Sequence, residues 1–295
     1  MSKVGFVGLG NMGAPMAINL MQAGHELICF DVMSDATVSA QKAGLTIAAN
    51  IVDVANETDI VVLMLPNGAI VSDVARKILP HLAAGGLLID CSTIDVTAAR
   101  DLHVLTEQTG VLCLDAPVSG GVGGAAAGTL TFMVGGSEAA FEIGASLFEI
   151  MGQKAVHCGA GGAGQAAKIC NNMLLGISMI GTCEAFSLAE KLGLSQSALF
   201  DVVSTSSGSC WSVNTYCPVP GVGPQSPSDN NYAPGFAAAL MLKDLRLAME
   251  AAHSSVSQTP LGEHAHQLYQ KMVSDGMGGK DFSAMIEFLA NSKDP

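Results

Sequence analysis

The run Lys3-Val4-Gly5-Phe6-Val7-Gly8-Leu9-Gly10-Asn11-Met12-Gly13 constrains this chain more than any other stretch. An apolar, strand-like segment passes directly into GxGxxG. The segment that follows, Ala14 to Ala23, has Pro15 in its first turn and Gly24 just past its end, the usual punctuation of a helix. Strand, glycine turn and helix in immediate succession predict the first βαβ unit of a doubly wound sheet, with Met16, Ile18, Leu20 and Met21 packed on that sheet. In such a turn Gly8 permits the tight reversal, Gly10 removes the Cβ that would block a pyrophosphate, and Gly13 lets helix and strand approach. Leu9, Asn11 and Met12 complete the turn, and the helix N-terminus aims N–H donors at phosphate charge. Asp31 closes the second apolar run, where a carboxylate accepts from the adenosine ribose hydroxyls and repels a 2′-phosphate. The neighbouring Val32 and Met33 offer no arginine, so the expected cofactor is NAD rather than NADP.

The rhythm begun by this unit continues. Apolar runs at Lys3–Gly8, Glu26–Asp31, Asp59–Pro66, Leu87–Cys91, Val111–Asp115, Thr129–Val134 and Ala155–Cys158 alternate with amphipathic segments, which implies a largely parallel sheet covered by helices. Beyond Gly164 the strand signal fades. Residues 164–192 form one helical stretch, apolar around most of its circumference, and read as a spine buried on all sides. Further helical segments follow near Gln196–Ser204, Phe236–His253 and Gly262–Ser274, and the Pro-, Gly- and Ser-rich loop from Ser206 to Pro234 carries Trp211, Tyr216 and Tyr232, which argue for order. The expected fold class is α/β. A Rossmann-type NAD-binding domain spans 1–162 and an all-helical substrate and oligomerisation domain spans 163–295, opening with the long helix.

Composition narrows the partners. Thirteen Lys and Arg against 26 Asp and Glu give a formal net charge of -13, a poor match to nucleic acid or an anionic membrane, so a small molecule is the expected partner. The eight cysteines form no CxxC pair and read as small core hydrophobes in a reducing compartment, and the scattered histidines make no metal site. The chain enters a strand directly after Met1-Ser2, which predicts no targeting peptide and a cytoplasmic protein. The apolar stretch Met173–Ile180 is interrupted by Gly176 and is too short to span a bilayer of roughly 20 helical residues.

Two segments carry chemistry. Asp115-Ala116-Pro117-Val118-Ser119-Gly120-Gly121 turns sharply after a strand and presents a hydroxyl and successive N–H groups suited to a carboxylate. Gly164-Gln165-Ala166-Ala167-Lys168-Ile169-Cys170-Asn171-Asn172 places Lys168 and Asn172 on one helical face, and a lysine in an apolar helix is costly unless it is employed or its stem reaches solvent. Leu65-Pro66 and Thr93, at the ends of the third and fourth apolar runs, are candidate nicotinamide-side contacts; Thr93 is equally suited to cap a helix.

Taken in order, the glycine turn, the DAPVSGG turn, the GQAAKICNN segment and Lys243-Asp244 resemble the β-hydroxyacid dehydrogenases over the whole chain. The strings ICNNMLLGISMIGT, CWSVNTYCPVPGV, DNNYAPGF and GKDFSA are most similar to those members that oxidise 3-hydroxyisobutyrate. The resemblance implies NAD-dependent oxidation of that acid to methylmalonate semialdehyde, a step of valine degradation, by a homodimer or homotetramer. It implies that Lys168 handles the hydroxyl proton with Asn172 beside it, that Ser119, Gly120 and Gly121 hold the substrate, and that Trp211, Tyr216 and Asp244 wall the pocket. Phe236 and Lys243 are implied on the cofactor side. Ser209 and Cys217 depart from the family, which commonly has arginine and asparagine there, and the departure is expected to alter the pocket mouth. An unperturbed lysine titrates near 10.4, so Lys168 either acts as a base after its pKa is lowered or stabilises the developing alkoxide as a cation. Oxidation of serine or 3-hydroxypropionate, reduction of tartronate semialdehyde, or NAD binding without catalysis are the alternatives. An imine reductase would replace the lysine.

Overall fold

The computed structural model describes residues 2–291. The chain forms two compact units, Met1–Lys168 and Ile169–Pro295, and the division falls inside the long helix that the sequence reading begins at residue 164.

In the first unit β1 (Lys3–Val7), α1 (Gly13–Gln22), β2 (Glu26–Phe30), α2 (Ser34–Lys42), β3 (Thr46–Ile47), α3 (Ile51–Asn56), β4 (Ile60–Leu63), α4 (Gly68–Ile78), β5 (Leu87–Asp90), α5 (Val96–Glu107) and β6 (Leu112–Asp115) build a parallel sheet in the order β3-β2-β1-β4-β5-β6. This is the doubly wound arrangement, with its switch point between β1 and β4. The sheet continues into β8 (Leu130–Gly136), which runs antiparallel to β6 and to the two-residue β7 (Val118–Ser119), while β9 (Gly152–Gly159) pairs parallel to β8. Helices α6 (Gly121–Ala127) and α7 (Glu138–Met151) complete the unit. The short strands β3 and β7 were not foreseen. Two-residue strands leave no periodicity to read, and β7 lies within the turn expected to bind substrate.

Parallel strands covered on both faces must be apolar at successive positions. In β4, Ile60 and Val62 join the core with Val4, Phe6, Met16 and Leu20, whereas Val61 and Leu63 join the opposite core with Val71, Ile78 and Leu102. Helix α1 meets the first core through Met16, Ala17 and Leu20, with Ile18 and Met21 packed at its margin. The register fixes the working edge of the sheet. Val7 pairs with Phe30 and with Leu63, Leu63 with Asp90, and Asp90 with Asp115, so five strands end on one line. The predicted site residues of this unit, apart from the later helix, begin one to four residues beyond that line, at Gly8, Asp31, Leu65, Thr93 and Ser119.

The glycine turn is a close approach of backbones. A Cβ on Gly13 would lie 1.9 Å from the Gly8 carbonyl oxygen, and one on Gly8, whose φ is +99, would lie 2.2 Å from the Met64 oxygen. At Gly10 no atom lies within 4 Å of the corresponding position.

The long helix α8 spans Ala163–Lys191. By length and composition alone it could cross a bilayer, which the shorter Met173–Ile180 stretch could not. Its apolar side nonetheless packs within the protein, where Met179, Ile180 and Cys183 meet Tyr269, Met272 and Phe282, and Phe186 meets Cys217 and Val219. Burial on all sides, expected from its uniform apolarity, does not hold in the chain: Leu174 and Leu188 are 64% and 57% exposed. The second unit adds α9 (Gln196–Val203), α10 (Trp211–Asn214), α11 (Ala238–Ser254), α12 (Pro260–Met272) and α13 (Met285–Asn291). The loop before α11 is ordered by α10, by a 3-10 turn at Pro227–Asn230, and by the Tyr232 hydroxyl donating to the Pro218 carbonyl.

A methyl group at position 13 meets backbone that cannot move without disturbing β1, whereas one at position 10 meets open space. Gly13→Ala is therefore expected to destabilise the fold by about 1–3 kcal/mol and Gly10→Ala to leave it within about 0.5 kcal/mol. Urea unfolding of the two variants checks this, and equal stability would refute the account of the turn.

Candidate active site

The first part of the site is the turn between β1 and α1. Helix α1 starts without a side-chain cap and without an acidic residue in its first turn, and Gly10 leaves space beside it. An uncapped N-terminus with room for an anion fits a dinucleotide pyrophosphate. Asp31 lies against this turn: its carboxylate accepts the Leu9 N–H at 2.6 Å and the Met33 N–H at 2.8 Å. The sequence placed Asp31 near the ribose. The structure adds that the same side chain braces the glycine turn. Val32 and Met33 are exposed beside it.

Further along the edge, the Leu65 N–H donates to Ser92 Oγ at 2.9 Å, which joins the Leu65-Pro66 segment to the Ser92-Thr93 turn. The N–H of Ser92 donates to Asp90 Oδ1 at 3.0 Å. Asp90 is fully buried, and its Oδ2 has no hydrogen-bond partner among the described residues. Burial pushes its carboxyl up to about 7 against the opposing effect of the Ser92 hydrogen bonds, and the neighbouring Asp115 adds to the rise. Thr93 does not cap the following helix; Asp95 does, accepting the Ala98 N–H at 2.7 Å.

Asp115 is equally buried but well supplied with donors. It accepts from the Gly162 N–H at 2.8 Å, from the Gln165 N–H at 2.9 Å and from His103 Nε2 at 2.9 Å. It thereby caps the start of α8, the helix that carries Lys168. The turn beyond Asp115 has positive φ at Gly120 (134) and Gly121 (62), and Ser119 lies partly exposed at its start. Lys168 is 6% exposed, so its amine is withdrawn from bulk water.

In the second unit Asn172 donates to Asp244 Oδ2 at 2.6 Å and accepts from Asn171 Nδ2 at 2.9 Å, which fixes the orientation of its amide. Asp244 is 2% exposed, with Lys243 Nζ at 3.6 Å from its other oxygen. Lys243-Asp244 is thus half buried rather than a solvated pair. Trp211 stacks on Tyr216 with ring centroids 4.7 Å apart, and Tyr216 on Phe282 at 5.4 Å; Phe236 meets Phe282 edge-on at 5.7 Å. The organiser of this cluster, absent from the sequence reading, is Asp281. Fully buried, it accepts from the Tyr216 hydroxyl and from the Gly235 and Phe236 N–H groups, each at 3.0 Å, and from Ser283. Burial and the Asp281 carboxylate raise the Tyr216 pKa, so the phenol stays a donor. Of the two departures expected to reshape the pocket mouth, Cys217 does not lie at a surface. It is fully buried in a small cluster with Phe186 and Val219, a core position suited to a small apolar side chain. Ser209 accepts from Asn214 Nδ2 at 3.0 Å.

Among the described residues no cluster of His, Cys, Asp or Glu could hold a metal. A groove of about 460 Å³ between α4 and α5, lined in part by Ser72, Arg76 and Asp101, contains none of the predicted site residues.

Residues 3–159 match the NAD binding domain of 6-phosphogluconate dehydrogenase, and residues 162–289 match the NAD-binding domain of NADP-dependent 3-hydroxyisobutyrate dehydrogenase. A probable 3-hydroxyisobutyrate dehydrogenase of Mycobacterium tuberculosis is 49% identical over 289 residues, 98% of both chains. The chain belongs to the 3-hydroxyisobutyrate dehydrogenase family. The mitochondrial 3-hydroxyisobutyrate dehydrogenase of Homo sapiens is 50% identical over 291 residues, 98% of this chain and 87% of that protein. The solved structure of the Mycobacterium tuberculosis 3-hydroxyisobutyrate dehydrogenase with L-serine superposes with a TM-score of 0.95 at 49% identity, covering 98% of this chain and 99% of that one. The family carries the architecture described above, a Rossmann-like domain followed by a helical one.

Asp90 supplies a pH test. Its folded pKa is raised to about 7 from an ordinary 3.8, so between these values the folded protein holds a proton that the unfolded chain releases. Stability contributed by this group therefore falls as pH rises through that window and levels off above it. The stability of the wild type relative to Asp90→Asn is expected to decline from about pH 4 to about pH 7. A difference that stays constant in paired denaturation curves would contradict the assignment.

Proposed function

We propose that this chain oxidises 3-hydroxyisobutyrate to methylmalonate semialdehyde with NAD as acceptor. The observation that carries the reading is Lys168, buried on a helix whose start is fixed by Asp115, in a chain that belongs to the 3-hydroxyisobutyrate dehydrogenase family. Bound NAD supplies the nicotinamide ring that accepts hydride from the alcohol carbon. The protein supplies the rest. In the first unit Gly8, Gly10 and Gly13, with Leu9, Asn11 and Met12, would hold the pyrophosphate, Asp31 would take the ribose hydroxyls, and Leu65, Pro66 and Thr93 would line the nicotinamide side; of the second unit's residues, Phe236 and Lys243 are assigned to the cofactor. In the first unit the hydroxyl and N–H groups of Ser119, Gly120 and Gly121 bind the substrate carboxylate; of the second unit's residues, Asn172, Trp211, Tyr216 and Asp244 are assigned to the substrate. As the carbon loses hydride, the hydroxyl proton passes toward the Lys168 amine, which either accepts it or stabilises the alkoxide oxygen as a donor.

Asp31 supports NAD over NADP, because a 2′-phosphate would meet a carboxylate with no arginine at positions 32 or 33. The similarity of residues 162–289 to an NADP-dependent 3-hydroxyisobutyrate dehydrogenase points the other way. The carboxylate weighs more, since it acts at the atom that distinguishes the two cofactors. Oxidation of L-serine is a second reading, supported by the relative solved with that amino acid, which shares the carboxylate and primary hydroxyl of the proposed substrate. The exposed Leu174 and Leu188 of α8, with Leu192 just beyond its end, support burial against a second copy and hence a homodimer or homotetramer. All eight cysteines are free, which supports a reducing compartment such as the cytoplasm.

Steady-state kinetics on 3-hydroxyisobutyrate, L-serine, 3-hydroxypropionate and tartronate semialdehyde test the reading, and the first is expected to have the highest kcat/KM. Lys168→Ala should lower kcat by about 10²–10⁴ with little change in NAD affinity. Near-normal turnover would remove the lysine from the mechanism, and no turnover by the wild type would favour NAD binding alone.

For cofactor choice, the wild type is expected to use NAD much better than NADP. Asp31→Ala should narrow that gap, losing roughly tenfold to a hundredfold in kcat/KM with NAD, the equivalent of one charged hydrogen bond. Equal use of both cofactors by the unmodified enzyme would refute the role of Asp31.

A further inference from the structure

Gln165 is fully buried and makes three hydrogen bonds in three directions. Its side-chain Oε1 accepts the Ile94 N–H at 3.1 Å, its Nε2 donates to the Ser92 carbonyl at 2.7 Å, and its own N–H donates to Asp115 at 2.9 Å. The amide pairs with the turn on both sides of Thr93, much as a neighbouring strand would. Ser92 is also held by Leu65 and Asp90, so the turn that Gln165 grips is the one joined to Leu65-Pro66. On the other side Gln165 belongs to the first turns of α8, three residues before Lys168. The fit is close on the helix side: a Cβ on Gly164 would lie 2.3 Å from the Met133 oxygen and 2.4 Å from the Asp115 oxygen, and one on Gly161 would lie 2.5 Å from the His103 ring.

A carboxylate and an amide therefore divide the work. Asp115 stops the helix from moving away from β6, and Gln165 sets its register against the turn at Ser92–Ile94. An amide is suited to the second task because it presents one acceptor and one donor side by side, to a backbone N–H and a backbone carbonyl that would otherwise be buried without partners.

We propose that Gln165 is a positioning residue for the oxidation, holding the helix of Lys168 at a fixed distance from the Thr93 turn. The proposal rests on Lys168 as the proton-handling group. Its consequence is that loss of the Gln165 amide displaces the lysine from the reacting hydroxyl while leaving both binding turns, at Gly8–Gly13 and Ser119–Gly121, in place.

The test uses Gln165→Met and Gln165→Glu in the full-length enzyme. The methionine variant keeps the volume and loses both side-chain hydrogen bonds. Its kcat is expected to fall about tenfold to a hundredfold, the cost of misplacing a reacting group by about an ångström, with KM for the acid and Kd for NAD within about threefold. The glutamate variant adds a readout that general loosening would not give. Ionised, its carboxylate faces the Ser92 carbonyl without a proton to donate; protonated, it again offers one acceptor and one donor. Burial raises the pKa of a carboxyl, and Asp115 and Asp90 add to that while His103 and Lys168 oppose it. The ratio of its kcat to that of the wild type is therefore expected to rise as pH falls from about 8 to about 5, as protonation restores the donor, while the ratio for the methionine variant stays flat. The methionine variant adds no charge beside Asp90, so a rise confined to the glutamate variant belongs to the introduced carboxyl and its coupling to Asp90. A methionine variant with wild-type kcat, or one that loses NAD affinity as much as kcat, overturns the proposal. A glutamate ratio independent of pH overturns it as well, and decides the matter alone if the methionine variant does not fold. Lys168→Ala separates this from the parent reading: a slow Lys168→Ala beside a fast Gln165→Met leaves the lysine in the mechanism and removes only Gln165.

Discussion

The in-register ending of five parallel strands at Phe30, Val7, Leu63, Asp90 and Asp115 is the constraint on which the rest of the first unit depends. Parallel neighbours point equivalent side chains to the same face, so the line fixes which loops share an edge and which side chains share a face. The glycine turn and the Leu65-Pro66 segment are adjacent because β1 and β4 are adjacent. The same rule brings Asp90 and Asp115 side by side, and burying two carboxyls together is costly unless their surroundings differ. They do differ. Asp115 receives two backbone N–H groups and an imidazole, whereas Asp90 is served by Ser92 alone and, among the described residues, keeps one oxygen without a hydrogen-bond partner. One carboxyl is placed to hold a helix and the other to hold a proton.

This edge also explains how a helix that belongs mostly to the second unit begins in the first. Four peptide N–H groups at a helix start lack partners inside the helix, and burial requires that something else supply them. Asp115 accepts two of the N–H groups at this start, those of Gly162 and Gln165, from the end of β6, and the glycines at 161, 162 and 164 let the chain come close enough to use it. Lys168, the proposed proton-handling residue, follows directly after that anchor, so its place is set by the sheet rather than by a loop.

Much of this was legible in the sequence because it is local. GxGxxG, Asp31 at the close of β2 and the punctuation of α1 are short-range patterns, and the structure places all three as their spacing required. Lys168 stood out for a similarly local reason, as a charge within an apolar helix. Gln165 and Asp281 did not stand out. Their partners lie tens of residues away in sequence, and a buried glutamine or aspartate resembles a surface one until the fold supplies its neighbours. GKDFSA was visible as a string but not as the buried carboxylate that gathers Tyr216, Gly235 and Phe236. The overstated burial of α8 has the opposite cause. Uniform apolarity gave no means of telling the stripe packed in this chain, through Met179, Cys183 and Phe186, from the stripe left exposed through Leu174 and Leu188.

Buried carboxylates recur wherever the chain must hold a functional side chain still. Asp115 fixes the start of the Lys168 helix, Asp244 orients the Asn172 amide, and Asp281 holds the phenol on which Trp211 stacks. Desolvating a charge is expensive, so each of these aspartates is worth its place only if the groups it binds lose freedom that would otherwise harm the chemistry. Most of the donors involved are backbone N–H, amide or hydroxyl groups; the exceptions are the His103 imidazole on Asp115 at 2.9 Å and Lys243, which lies beside Asp244 at the longer distance of 3.6 Å. Neutral donors hold a carboxylate by direction as much as by attraction, because each must point at an oxygen. A site built on directional bonds tolerates little displacement.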